Sequence, residues 1–127
     1  MIRYLATAVL ALAGCSSSSE PPKPTAAAAS HKKDPATART LIGAGAVLLD
    51  VRTADEFAAG HLPAATNIPV DQLASRLDEV AKLTGGDLKK PVVVYCASGH
   101  RAGRAQEVLD AAGYAQVVNG GGFDDLK

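Results

Sequence analysis

Tryptophan is absent from this chain of 127 residues, and its few Phe and Tyr bring the aromatic share to only 4%. No charge of one sign is in excess, with Lys and Arg totalling 13 and Asp and Glu totalling 13. A balanced charge with so few aromatic rings argues against a nucleic-acid binder, which needs a basic face or stacking platforms. Two cysteines, Cys15 and Cys96, cannot form a scaffold of several disulfides. His31, His61 and His100 show no metal-binding spacing. No apolar run reaches the roughly 20 residues that span a bilayer. What is present is ordinary for one small globular domain with appendages: 47% hydrophobic and 20% charged residues.

The N-terminal segment reads as an address. Arg3 supplies one positive charge, and nine uncharged residues, mostly Ala and Leu, run from Leu5 to Ala13. That is the length and flank of an exported protein's apolar region. The run ends in Leu12-Ala13-Gly14-Cys15, which resembles the lipobox of bacterial lipoproteins. The resemblance implies a signal peptide over residues 1–14, cleavage before Cys15 and a diacylglycerol on its thiol. Such a protein is held at a membrane surface in the bacterial cell envelope without spanning it, outside the cytoplasm and facing the periplasm in a Gram-negative cell. An ordinary secretory signal with a chance Cys is the alternative. Ser16 to Pro24 is polar and Pro-rich, without periodicity, and cannot bury enough apolar surface to offset its ordering entropy. Residues 15–33 therefore read as the lipidated Cys and a Ser/Pro/Ala tether, and residues 34–127 as a compact domain.

Within that domain the patterns alternate between helix and strand. Pro35 to Gly43 reads as a short helix with Leu41 and Ile42 on its apolar side. Val47-Leu48-Leu49, leading into Asp50, is a continuous apolar run, as in a parallel strand covered on both faces. Thr53-Ala54-Asp55-Glu56 is a capping-box pattern starting a helix that ends near Gly60. Ala65 to Ile68 suits a very short strand. Leu73, Leu77, Val80 and Leu83 recur at helical spacing and predict one helix from about Val70 to Leu83, broken by Gly85-Gly86. Pro91 to Tyr95 is the clearest strand. Arg101 to Ala112 predicts a helix with Ala105, Val108, Leu109 and Ala112 facing inward, stopped by Gly113. Gln116 to Val118 predicts a last strand before Gly120-Gly121-Gly122. The alternation implies an α/β sheet with helices on both faces, and sites in such sheets lie at the carboxyl ends of the strands.

Cys96 stands at that end of the best strand. The loop Cys96-Ala97-Ser98-Gly99-His100-Arg101 then leads into a helix. Small residues allow a tight curl, whose consecutive N–H groups can converge on an anion. The helix N-terminus and the positive charge of Arg101, with His100 beside it, act in the same direction. All favour a nucleophilic thiolate at Cys96 near neutral pH. The alternative is Cys96 as a small buried hydrophobe.

This loop, a Cys and an Arg separated by four residues, resembles the active-site loop of rhodanese-domain sulfurtransferases. Leu49-Asp50-Val51-Arg52, Glu56-Phe57, Gly60 through Pro69 and Gly121-Gly122-Phe123 match that family in order, so the resemblance covers nearly all of 34–127. It implies a three-layer α/β fold with a small, mainly parallel central sheet flanked by helices. It also implies a catalytic Cys96 that takes sulfur from a small anionic donor such as thiosulfate, carries it as a persulfide held by the loop of Ala97, Ser98, Gly99, His100 and Arg101, and passes it to a thiophilic acceptor, cyanide in the test tube. No metal and no organic cofactor is implied.

Other positions read as structural. Asp50 and Arg52 are expected on opposite strand faces, each in a hydrogen-bond network rather than on substrate. Glu56 reads as a capping residue and His61 as a turn histidine satisfied by backbone. His100 stands between a role in substrate binding and simple exposure. Two positions depart from the family pattern. Ala97 replaces a basic residue common after the Cys, and Leu126 stands where an aromatic is usual, which predicts looser packing at the C-terminus. A non-catalytic partner-binding or sulfur-carrier module is the second functional reading. A cysteine phosphatase or arsenate reductase is a third, disfavoured by a loop one residue shorter than those enzymes use. With Cys15 alkylated, Cys96 has no internal disulfide partner.

Overall fold

The computed structural model describes residues 32–127. The signal peptide, Cys15 and most of the tether expected from the sequence lie outside the described residues. The elements are α1 (Pro35–Gly43), β1 (Val47–Asp50), α2 (Ala54–Ala59), β2 (Thr66–Asn67), α3 (Val70–Leu73), α4 (Leu77–Thr84), β3 (Val92–Cys96), α5 (His100–Ala111), β4 (Val117–Gly122) and α6 (Phe123–Leu126). The four strands form one sheet in the order β2-β1-β3-β4, and every pairing is parallel. The α/β architecture with a parallel central sheet is thus as the sequence implies.

Both sheet faces are covered, and the side-chain alternation of β3 shows how. Val92, Val94 and Cys96 join one core cluster with Leu73, Val80, Ala105 and Leu109, under α3, α4 and α5. Val93 and Tyr95 join a second with Ala38, Leu62 and Leu126, under α1 and α6. An unbroken apolar run is what a strand between two helical layers requires. Of the inward positions expected on α5, Ala105 and Leu109 are buried, while Val108 and Ala112 pack against the core partly exposed.

Three expectations need correction. The single helix from Val70 to Leu83 is two: the chain leaves helical geometry at Arg76 (φ −121°, ψ 27°), and Ser75 and Arg76 donate to carbonyls only three residues back. Leu83 is exposed at 38%, and Thr84 takes the buried place. β4 runs on through the three glycines, and α6 follows it directly. Leu126 is buried at 7%. A Cβ on Gly120 would lie 2.8 Å from its side chain, so the C-terminus is packed closely rather than loosely. Among the described residues no helix is long and apolar enough to cross a membrane.

Candidate active site

Because all four strands run parallel, the ends of β1, β3 and β4 gather Asp50, Cys96 and Gly122 at one edge of the sheet. Cys96 pairs in register with Gly122 after an irregularity that follows Val94. The Cys96 residue itself is fully buried and free of any disulfide. Ala97, Ser98 and His100 are exposed in the loop above it, and Gly99 is buried.

Gly99 fixes the loop. It adopts the left-handed conformation (φ 95°, ψ −10°) and precedes the first residue of α5, a geometry that glycine takes without steric cost. Its N–H donates to Cys96 Sγ at 2.9 Å. Its carbonyl turns the other way and accepts Gly103 N–H, the first bond of α5, and Asn119 Nδ2 at 2.9 Å. The loop also lies directly against β4. A Cβ on Gly122 would stand 2.4 Å from the Ala97 carbonyl oxygen, and one on Gly99 would stand 3.2 Å from Gly121 Cα. The glycines of β4 are thus the surface on which the loop rests, a role that an interrupted strand pattern does not reveal.

Arg101 is paired with a carboxylate. Its guanidinium donates through Nη1 and Nη2 to Glu56 Oε1 and Oε2 at 2.8 and 3.0 Å. The bidentate bond to Arg101 lowers the Glu56 carboxyl from its ordinary 4.5 to about 2, and Glu56 raises the Arg101 pKa in turn. The positive charge expected of Arg101 at the loop is present as half of an ion pair with Glu56. Glu56 does cap α2 with Thr53, as its local pattern implies. Its second partner lies 45 positions away and is invisible to local spacing.

Behind the loop, Asp50 and Arg52 meet rather than diverge. Arg52 Nη2 lies 2.7 Å from Asp50 Oδ2, with side-chain exposures of 8% and 0%. Residues two apart in extended chain share a face, so the expectation of opposite faces was mistaken, while the expected structural network is present. Arg52 also donates to the Gly60 carbonyl at 2.6 Å and sits over the Phe123 ring, 4.8 Å from its centroid. Tyr95 Oη accepts Leu62 N–H at 3.1 Å, and burial pushes this phenol up to about 12. His61 stacks on Phe57 with ring centroids 3.7 Å apart, and its Nδ1 lies 2.9 Å from the Phe57 carbonyl oxygen. That is the backbone-satisfied turn histidine expected.

The domain is thus a parallel α/β domain with a cysteine at a strand end, followed by a short loop that feeds a helix N-terminus. Residues 34–127 match the family described as rhodanese-like domain. The chain belongs to that family. It is 33% identical over 78 residues to the thiosulfate sulfurtransferase PspE of Escherichia coli, covering 61% of this chain and 71% of that one. It is 36% identical over 91 residues to the thiosulfate sulfurtransferase GlpE of Pseudomonas savastanoi, covering 71% and 80%. Of several other curated relatives it spans only 56% to 63% of their length. Among solved structures, a rhodanese with anions from E. coli is similar at 32% identity and a TM-score of 0.57, over 64% of this chain and 91% of that one. The PspE and GlpE relatives are both named thiosulfate sulfurtransferases.

Proposed function

We propose that this protein is a sulfurtransferase in which Cys96 carries the transferred sulfur. The observation that carries the reading is the Gly99 N–H aimed at Cys96 Sγ, at the carboxyl end of β3 and beneath an exposed loop of small residues. A fixed backbone donor stabilises negative charge on sulfur without reorganising as the reaction proceeds. The Cys96 thiolate attacks the outer sulfur of thiosulfate. The S–S bond of the donor breaks, its electron pair leaves with sulfite, and Cys96 becomes a persulfide. A thiophilic acceptor such as cyanide then attacks the outer persulfide sulfur, thiocyanate departs and the thiolate returns. The substrate loop in this reading is Ala97, Ser98, Gly99, His100 and Arg101, with Glu56 holding Arg101 at its edge.

Thiocyanate production from thiosulfate and cyanide by the full chain tests this directly. Cys96→Ser is expected to abolish it, and intact-mass spectra of the wild type after thiosulfate are expected to show one added sulfur atom. Turnover that survives the substitution would overturn the assignment. The same proposal includes the N-terminal address: a diacylated Cys15 holds the domain on the extracytoplasmic side of a bacterial membrane in the cell envelope, facing the periplasm in a Gram-negative cell.

A further inference from the structure

The side chain of Asn119 spans the gap between β4 and the Cys96 loop. It is 1% exposed and uses both ends of its amide. Nδ2 donates to the Gly99 carbonyl at 2.9 Å, and Oδ1 accepts Gly121 N–H at 2.9 Å. Its backbone carbonyl accepts Asp34 N–H at 2.7 Å, where the chain enters the domain. The Gly99 carbonyl is the important partner. A carbonyl oxygen turned inward would oppose negative charge on the sulfur, and Gly99 lacks a Cβ to restrain its backbone. The first helical bond from Gly103 holds that carbonyl on one side, and Asn119 holds it on the other.

We propose that Asn119 is a positioning residue for sulfur transfer. By holding the Gly99 carbonyl away from Cys96, on the peptide unit that follows the one bearing the Gly99 N–H, it fixes the Gly99 backbone between them and so keeps that N–H on Cys96 Sγ. This rests on the reading of Cys96 as the sulfur carrier. The amide is suited to the task because it can donate to one strand of backbone and accept from another at once. An ionised carboxylate of the same shape could serve Gly121 but would set an oxygen against the Gly99 carbonyl, whereas a protonated one would keep both bonds, so the Asp variant is read at a pH where its carboxyl carbon-13 shift shows it ionised. Asn119→Asp therefore separates the two contacts, and Asn119→Ala removes both.

The test pairs kinetics with a local signature. Persulfide formation at Cys96 is followed by mass spectrometry after mixing with thiosulfate, and the Gly99 amide is followed in proton–nitrogen correlation spectra. In Asn119→Asp, with far-ultraviolet dichroism unchanged, the Gly99 amide resonance is expected to move and exchange faster with solvent. Persulfide formation is expected to slow by about three- to tenfold, the worth of a single hydrogen bond. A purely structural Asn119 would lower the melting temperature and leave the Gly99 amide of the folded protein where it was. That result, with persulfide formation within about twofold of wild type, overturns the proposal. Should Asn119→Ala fail to fold, the isosteric Asp variant still decides. If the wild type forms no persulfide, the sulfurtransferase reading fails by itself, and an unmoved Gly99 amide in Asn119→Asp then removes the positioning role as well.

Discussion

At Glu56 one carboxylate serves two neighbours, and this gives the residue a pH signature. It caps α2 through Thr53 and binds Arg101 through both oxygens. Its folded-state value of about 2 lies below the ordinary 4.5. A depressed carboxyl contributes stability that is full above 4.5 and is lost as the pH falls towards 2. The pair is 30% and 36% exposed, so solvent screening limits its worth to about 1 kcal/mol. Urea unfolding of Glu56→Gln is expected to lose less stability than the wild type across that pH interval, and equal slopes for the two proteins would contradict the linkage. The capping role was legible because Thr53 and Glu56 are three positions apart, the spacing one helical turn brings together. The pairing with Arg101 was not, since only the β1–β3 register brings α2 beside the Cys96 loop. The buried Asn119 was missed for the same reason: its contacts to Gly99 and Gly121 are to backbone atoms of glycines, which leave no complementary side chain in the sequence.

Elements meet at this site through backbone more than through side chains, and β4 shows it best. Gly122 has ordinary extended dihedrals (φ −94°, ψ 161°), so alanine there is free of backbone strain. The new methyl would nonetheless stand 2.4 Å from the Ala97 oxygen, and either the loop or β4 must move. Gly122→Ala is expected to slow sulfur transfer by on the order of ten- to a hundredfold, as ångström-scale misplacement of a reacting group does. Gly43→Ala, where no atom lies within 4 Å of the added carbon, is the control expected to retain wild-type rates. Equal rates for the two variants would show that loop and strand are not in tight register. The Asp50–Arg52 pair links the end of β1 to Gly60 and to Phe123 of α6. Arg52→Ala leaves a fully buried Asp50 without its cation and is expected to cost about 3–5 kcal/mol in chemical denaturation. A loss below about 1 kcal/mol would show that Asp50 finds other compensation. The break between α3 and α4 escaped the sequence because Leu73, Leu77 and Val80 keep helical spacing across it, and periodicity records which residues face the core rather than whether the backbone between them is continuous. The glycine run of β4 escaped it because a strand pressed against another backbone needs no side chains.

For the molecule as a whole, the decisive question is where it works, because an exported thiol meets oxidants that a cytoplasmic one does not. Cys96 is buried and free, next to the exposed Ala97 and Ser98 of its own loop. In the proposed arrangement Cys15 is consumed by lipid, so no second thiol of the chain is left to trap the persulfide sulfur in an internal disulfide. The diacylglycerol supplies two acyl chains, which meets the two-signal requirement for stable anchoring that a single chain does not. The chain enters the folded domain at Asp34, whose N–H is held by the Asn119 carbonyl, while Lys33 pairs with Asp125 at 3.4 Å. The tether therefore joins on the β4 side of the sheet, close to the glycines that support the Cys96 loop. Cys15→Ser, expressed in a bacterial host, is expected to shift the protein from the detergent phase to the aqueous phase on Triton X-114 partition and to leave the rate of thiocyanate formation unchanged. Detergent-phase recovery of Cys15→Ser equal to that of wild type would remove the lipid anchor. Loss of turnover in the aqueous, folded variant would show instead that the anchor acts on the site through the Asp34 junction.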